Sequence, residues 1–258
     1  MKNVFLTSAV LSCLSLTAMS VVASDTLRIG TEGAYPPFNY YTADGQLAGF
    51  DIDIGKAICL EMKRECKFVA QDWDGIIPAL LANKYDLVLA SMFITEARKE
   101  QVAFSQPYQA SAMTFVADKY VALTDVSPDA MKGKIIGAQG STTQAEYLLA
   151  NYPESDVRLY PTQDAVNLDL VSGRIDAQAG DIMPMTDWLN SVDGACCERV
   201  GEMITDPAYV GDGVGMAMRK GDKALLKDVN LALAAIIANG TYQKINKKYF
   251  TLNLLTLE

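Results

Sequence analysis

The chemistry open to this 258-residue chain is bounded first by a side chain it lacks, since it contains no histidine. That removes the commonest general base and the commonest metal ligand. A Ser-His-Asp or Cys-His mechanism is therefore impossible, and a zinc enzyme is not expected. What remains are charged groups suited to holding a small ion. Arg98 falls in the first turn of a short helical stretch opened by Thr95. There, unpaired backbone N–H groups favour an anion, and a planar guanidinium can grip two oxygens at once. Taken alone, Arg98 reads equally as a solvated surface arginine. Ser141 and Thr142 form a turn before a helix, where hydroxyl and N–H groups serve either an anion or a plain helix cap. Asp181 stands between a strand and a helix and is either a cap or an acceptor for a cation. Glu32 and Tyr35 share a loop broken by glycine and proline, and Trp73 opens a further helical pattern.

The chain has five cysteines and a formal net charge of −9. An acidic balance argues against nucleic acid, which wants a basic face; a small-molecule pocket need not follow the net charge. Residues 1–23 read as an export signal, with Lys2, an apolar stretch from Val4 to Val22, and a small-residue end at Val21-Val22-Ala23. The alternatives are an uncleaved anchor or, less naturally, a lipoprotein site at Cys13. Cleavage leaves four cysteines on the oxidising side of a membrane. Cys59 and Cys66 suit a bridge from a helix end to the next strand; two free buried thiols are the alternative. Cys196 and Cys197 are neighbours, which ordinary disulfide geometry disfavours, so their state stays open. Neither pair has CxxC spacing, so no metal is expected. The chain stops soon after its last helical pattern, so no anchor or signalling domain is expected.

These groups must be positioned by a run of alternating elements. Thr26 to Gly30 alternates as a strand, and Phe50 to Met62 places Ile54, Ile58 and Met62 at helical spacing with Ala57 and Leu60 beside them. A strand at Cys66 to Ala70, a helical pattern from Trp73 to Lys84 and an apolar strand at Asp86 to Ala90 complete a βαβαβ order. Thr95 to Gln101 is a short capped helix, followed by strands at Phe104 to Tyr108 and Met113 to Ala117. A second unit then begins. It has strands at Lys134 to Gln139, Val157 to Tyr160 and Ile175 to Ala179, and helices at Thr143 to Asn151, Gln163 to Ser172 and Ile182 to Asn190. A strand at Val214 to Met218 and helices at Asp222 to Asn239 and Tyr242 to Phe250 close the chain. Two α/β units imply two lobes with a cleft, and ligands of such sheets bind outside the carboxyl ends of the strands.

Several blocks stand in a familiar order. They are Gly49-Phe50-Asp51-Ile52-Asp53-Ile54, Trp73-Asp74-Gly75-Ile76-Ile77-Pro78, Ser91-Met92-Phe93-Ile94-Thr95-Glu96-Ala97-Arg98, Gly140-Ser141-Thr142, Gly173-Arg174-Ile175-Asp176-Ala177 and Asn239-Gly240-Thr241-Tyr242. Through them the mature chain resembles the periplasmic amino-acid-binding proteins of ABC importers (solute-binding protein family 3), and most of all the lysine/arginine/ornithine- and histidine-binding branch. The resemblance implies a type II periplasmic-binding-protein-like fold with two hinge strands. Lobe 1 is expected from residues 24–110 and 213–258, and lobe 2 from 111–212. It also implies that Cys59 and Cys66 are bridged, and that a monomer without a cofactor works with a membrane permease.

Residue by residue, the resemblance gives Arg98 the ligand carboxylate, with Ser141 and Thr142 completing that shell, and Asp181 the α-ammonium, assisted by Ser91. Glu32 faces the distal group of the ligand, and Tyr35 and Trp73 flank its stem. Ala90, Met92, Phe93, Gln139 and Thr143 complete the expected shell. A partly buried carboxylate at Glu32 selects a cation, because a neutral ligand would leave it unpaired. Arginine, lysine or ornithine is therefore expected ahead of histidine. The branch commonly carries Ser-Ser-x-Ser where this chain has Ala90-Ser91-Met92-Phe93, so two hydroxyls are replaced and Phe93 adds bulk. The rivals are an opine-binding protein, a cyclohexadienyl or arogenate dehydratase on the same scaffold, and the sensing module of a receptor.

Overall fold

A computed structural model describes residues 26–110, 112–121 and 123–257. The export-signal reading of residues 1–23, Cys13 included, lies outside the described residues. In chain order the elements are β1 (Thr26–Thr31), β2 (Ala34–Tyr35), β3 (Asn39–Tyr41), β4 (Leu47–Ala48), α1 (Phe50–Glu61) and β5 (Glu65–Ala70). A 3-10 turn at Trp73–Gly75 leads into α2 (Ile76–Leu81), then β6 (Leu87–Val88), α3 (Glu96–Lys99), β7 (Ala103–Phe104) and β8 (Met113–Asp118). The next stretch holds β9 (Ile135–Gln139), α4 (Thr143–Asn151), β10 (Asp156–Tyr160), α5 (Gln163–Val171), β11 (Ala177–Asp181) and α6 (Ile182–Leu189). The chain ends with β12 (Cys197–Ile204), α7 (Pro207–Val210), β13 (Ala217–Met218), α8 (Lys223–Ala238) and α9 (Thr241–Tyr249).

Two five-stranded sheets carry the molecule, in the orders β5-β1-β6-β13-β7 and β10-β9-β11-β8-β12, and β2, β3 and β4 form a small third sheet. In each large sheet four strands run the same way and one, β13 or β8, runs against them. The chain leaves the first sheet after β7, builds the whole second sheet, and returns to the first with β13. This is the two-lobed α/β architecture of type II periplasmic binding proteins.

Strand periodicity explains why each sheet is covered on both faces. In the second sheet Phe115 and Ala117 pack toward α4, while Val116 between them packs toward α5 and Met185 of α6. In the first, Leu87 and Leu89 join the cluster of α1, α8 and α9, while Val88 and Ala90 join that of α2. Helix α8 buries Val229, Ala232, Leu233 and Ile236, the i, i+3, i+4, i+7 stripe of a helix with one face in the core. Among the described residues no single helix is long and apolar enough to cross a membrane.

Four expectations change. Leu60 does not flank the apolar face of α1; it is 79% exposed. Two residues beyond Ile58 it is turned by about 200°, onto the opposite side of the helix. The strand expected at Ile175 to Ala179 runs instead over Ala177–Asp181. Its register is fixed from outside, by Ala177 beside Ile136 and by the Asp176 carboxylate accepting from the Ile135 N–H at 2.7 Å. That shift places Asp181 within the last residue of the strand. The pairing expected over Phe104 to Tyr108 has a ladder only at Ala103–Phe104, with Ser105 and Tyr108 continuing it through single bonds to Met216 and Val214. Strand β12 has no counterpart in the sequence reading. It is an edge strand that buries Cys197 and Val200 three residues apart, and a register shift follows Val200, so the period of two is absent.

Candidate functional site

The sequence candidates come from the carboxyl ends of the central strands. In the first sheet Glu32 follows β1, Trp73 follows β5, and Ala90, Ser91 and Phe93 follow β6, with Arg98 in the short helix after them. In the second sheet Gln139 ends β9, Thr142 and Thr143 begin α4, and Asp181 ends β11. Parallel strands bring their carboxyl ends to one edge, so residues distant in sequence meet there. All of these residues, together with Tyr35, line one cavity.

Met92 and Ser141 are the exceptions. Neighbouring side chains of an extended segment point to opposite faces, and with Ser91 and Phe93 in the cavity, Met92 turns into the core beside Trp73 and Ile76. Ser141 is exposed, and it contributes its backbone carbonyl, which accepts from Trp73 Nε1 at 2.9 Å. One lining residue, Gln144, was not singled out from the sequence. Its position in the first turn after Gly140-Ser141-Thr142 was the available signal.

Three hydrogen bonds join the two halves across this cavity. The Tyr35 hydroxyl donates to Asp181 Oδ2 at 2.6 Å, Gln139 Nε2 donates to Glu32 Oε1 at 2.6 Å, and Trp73 donates to Ser141 as described. Gln144 also donates to Asp181 Oδ1. The arrangement is a closed cleft.

Asp181 occupies the N-cap position of α6, yet its side chain makes no capping bond. By contrast, Thr95, Thr142 and Thr162 at the same position of α3, α4 and α5 each accept a bond from their helix backbone. Asp181 is instead turned into the cavity. Burial raises its carboxyl to about 7, against the Tyr35 hydrogen bond and the charge of Arg98, which pull it down. Glu32 is likewise raised to about 7 by burial, with the Gln139 bond opposing. Both groups therefore stand ready to gain from a positive partner.

Arg98 is 9% exposed. Its guanidinium donates to the Phe93 carbonyl at 3.0 Å and sits 5.3 Å from the centre of the Trp73 ring. Burial lowers it to about 10, far enough above neutrality that it remains charged. Glu146 and Asp181 act on it at a distance, without an ion pair among the described residues. Trp73 thus belongs both to the core packing and to the site. Thr142 spends its hydroxyl locally, donating to the Gln139 carbonyl at 2.6 Å and accepting from the Ala145 N–H at 3.2 Å.

Beneath the cavity lies another buried acid. Asp51 accepts from Asn39 Nδ2 at 2.9 Å, Ser91 Oγ at 3.1 Å and the Tyr108 hydroxyl at 2.8 Å. Burial raises it to about 6, and these donors oppose the rise. Ser91 has a positive φ of 50°, uncommon for a residue with a side chain, and its bond to Asp51 helps hold it there. Asn39 in turn accepts from the Gly33 N–H at 2.8 Å, tying down the loop that carries Glu32. The expected bridge between Cys59 and Cys66 is present, with Cα atoms 5.8 Å apart, and joins the end of α1 to β5.

A two-lobed α/β protein with a polar, doubly acidic cleft at the strand ends is a solute-binding protein. The chain belongs to the bacterial extracellular solute-binding proteins, family 3, which it matches over residues 27–252. Over 252 residues it is 42% identical to the L-arginine-binding protein of Pseudomonas aeruginosa, covering 95% of this chain and 97% of that one. It is 36% identical to the lysine/arginine/ornithine-binding periplasmic protein of Escherichia coli, covering 98% and 99%. Among solved structures it is similar to a Salmonella typhimurium periplasmic binding protein described for its high arginine specificity. That match has a TM-score of 0.81 and 35% identity, and covers 88% of this chain and 100% of the other.

Proposed function

We propose that this chain captures a basic L-amino acid, arginine foremost, in the cleft between its sheets and presents it to the membrane permease of an ABC importer. The observation that carries this is the charge inventory of the closed cleft. Glu32 and Asp181 contribute two negative charges and Arg98 one positive, all buried. A basic amino acid, with two positive groups and one carboxylate, is the complement that leaves no buried charge unpaired. A neutral amino acid leaves one carboxylate without a partner, and an acidic one adds repulsion. The names of the relatives support the same ligand class, and they are names of binding proteins, not enzymes.

In this reading Arg98 holds the ligand carboxylate, Asp181 with Ser91 the α-ammonium, and Glu32 the distal cation, while Tyr35, Trp73 and Phe93 enclose the stem. Ala90, Gln139, Thr142, Thr143 and Gln144 complete the wall. The lobes divide as 24–110 with 213–258, and 111–212, a division supported by sheet membership. Residues 1–23 direct export, and the protein works outside the cytoplasmic membrane as a monomer. Ligand touching Arg98 on one lobe and Asp181 on the other stabilises only the closed form, so binding shifts the hinge equilibrium.

Calorimetric titration of the refolded protein with arginine, lysine, ornithine, histidine, glutamine and glutamate tests the reading. Binding should be strongest for the cationic members, and Arg98→Ala should abolish it while leaving the melting profile intact. Preference for glutamine or glutamate would overturn the charge argument.

A further inference from the structure

The two remaining cysteines acquire a partner that their sequence neighbourhood does not supply. Cys197 is 3% exposed and Cys196 is half-buried, and both are free thiols. Pairing of β12 with β8 sets Cys197 directly opposite Asp118. One donor atom from each of Asp118, Cys196 and Cys197 lies within 4.8 Å of the others. In a tetrahedral zinc site with Zn–S of about 2.3 Å, two sulfurs sit about 3.8 Å apart, so small side-chain rotations close the remaining gap.

The surroundings hold these donors in place. Asp118 Oδ1 accepts from the Tyr120 N–H at 2.8 Å, which orients the carboxylate and leaves its second oxygen available. The turn before β12 is fixed by the Cys197 N–H donating to the Gly194 carbonyl at 3.0 Å and by Lys119 Nζ donating to the Ala195 carbonyl at 2.7 Å. Gly194 itself cannot be replaced cheaply, because a Cβ there would meet the Trp188 carbonyl oxygen at 2.2 Å. Cys196 lies in the turn and Cys197 in the strand, so strand alternation does not force the two sulfurs to opposite faces.

We propose that Cys196, Cys197 and Asp118 form a second binding site, for a thiophilic divalent metal ion of the Zn²⁺ class. Two thiolates and one carboxylate give three anionic donors, two of them soft, a set that suits a soft or borderline divalent ion, with a fourth position open to water. Binding releases the two thiol protons and forms two metal–sulfur bonds without change of oxidation state. A disulfide between the same sulfurs fits less well. Adjacent Cα atoms stand about 3.8 Å apart across a trans peptide, whereas disulfides ordinarily span roughly 4.4–6.8 Å.

The site is independent of the amino-acid cleft. Strand β8 runs from Met113, which pairs with Asp181, to Asp118, which pairs with Cys197. Five residues of strand separate the two ends, about 17 Å.

Titration of the non-reduced protein with Co²⁺ as probe, then displacement by Zn²⁺, tests the proposal. A thiolate-to-cobalt charge-transfer band should rise to one equivalent and vanish on adding Zn²⁺. Cys196→Ser should abolish the band, and Asp118→Asn should weaken cobalt binding at least about tenfold, the scale seen even for orienting partners of a metal site. Both variants should keep wild-type arginine affinity, which separates this proposal from the reading of the cleft. Zn²⁺ should also protect Cys196 and Cys197 from alkylation, as read by peptide mass spectrometry. Absence of the band, its survival in Cys196→Ser, or recovery of the two cysteines as a disulfide from non-reduced protein would overturn the site. If Cys197→Ser fails to fold, Cys196→Ser, at the less buried position, keeps the test intact.

Discussion

Asp51 and Asp181 are both buried carboxylates within a few residues of the same cavity, yet they are satisfied in different ways. Asp51 takes three donors, Asn39 from the small third sheet and Ser91 and Tyr108 from the segments after β6 and β7, none of them from the second sheet. Asp181 takes Gln144 from its own half and Tyr35 from the other. A charge satisfied entirely within one lobe keeps its partners when the cleft opens. A charge satisfied across the cleft loses one, and that vacancy is what a ligand can fill. On the proposed reading of the cleft, the first supports the site and the second belongs to it.

The sharpest separation should come from Asp181→Asn. It keeps an acceptor for Tyr35 but removes the charge facing an α-ammonium. Affinity for a basic amino acid should fall by about 100-fold or more, as when one member of a buried charge pair is lost. The melting temperature of the ligand-free protein should hold or rise. A fall in stability with affinity preserved would place Asp181 in the same class as Asp51.

Asp51→Ala should show the reverse balance. It strands three donors in the core, at a cost of about 3 kcal/mol or more, or roughly 6–12 °C in Tm for a chain of this size. Arginine affinity should fall less than tenfold, measured at a temperature where the variant is folded. A loss of binding larger than the loss of stability would make Asp51 part of the recognition surface.

Glu32→Gln extends the comparison to selectivity. It should weaken arginine and lysine by about 10–100-fold, the worth of a hydrogen bond to a charged group, and leave glutamine almost unchanged. Equal losses across a calorimetric panel would show that Glu32 does not read charge.

The smallest effect is with pH. Glu32 and Asp181 are raised to about 7 by burial, above the usual carboxylate range. For an acid raised on folding, the native state holds more protons than the unfolded one between the two values. The ligand-free closed protein should therefore gain stability from these groups as pH falls from about 7 toward 4. Affinity for a cationic ligand should run the other way, weakening by up to about tenfold per pH unit for each carboxylate that must ionise. Calorimetry near pH 6.5 in buffers of different ionisation enthalpy should register proton release on binding. Binding that strengthens on acidification would break the link between the acids and the ligand.

Much of this was legible before any coordinates. The helices at Thr143 and Gln163 begin where their Thr142 and Thr162 caps sit, because capping is a local bargain between a hydroxyl and the next turn. Most of the lining was legible as well, because motif residues that end strands or begin helices in a parallel sheet converge on one edge. Met92 was not, since an alternation of one residue decides which side chain faces the cavity, and Gln144 was passed over although its place in the first turn of α4 carried the signal. Strand β12 was invisible because edge strands need no apolar period.

The sequence by itself determined the element order, the two α/β units, the exclusion of histidine chemistry and the identity of the charges available to a cleft. These depend on residue type and on spacings of a few positions, where propensity, capping and periodicity act. Only the tertiary structure decided what those charges do. Tyr35 and Asp181 are 146 residues apart, and Glu32 and Gln139 are 107 apart. The placing of Asp118 beside Cys197 likewise follows from strand pairing. Whether a carboxylate caps a helix, braces a loop or faces a ligand is set by which donors sheet pairing brings within 3 Å of it, and that proximity is a property of the packed chain.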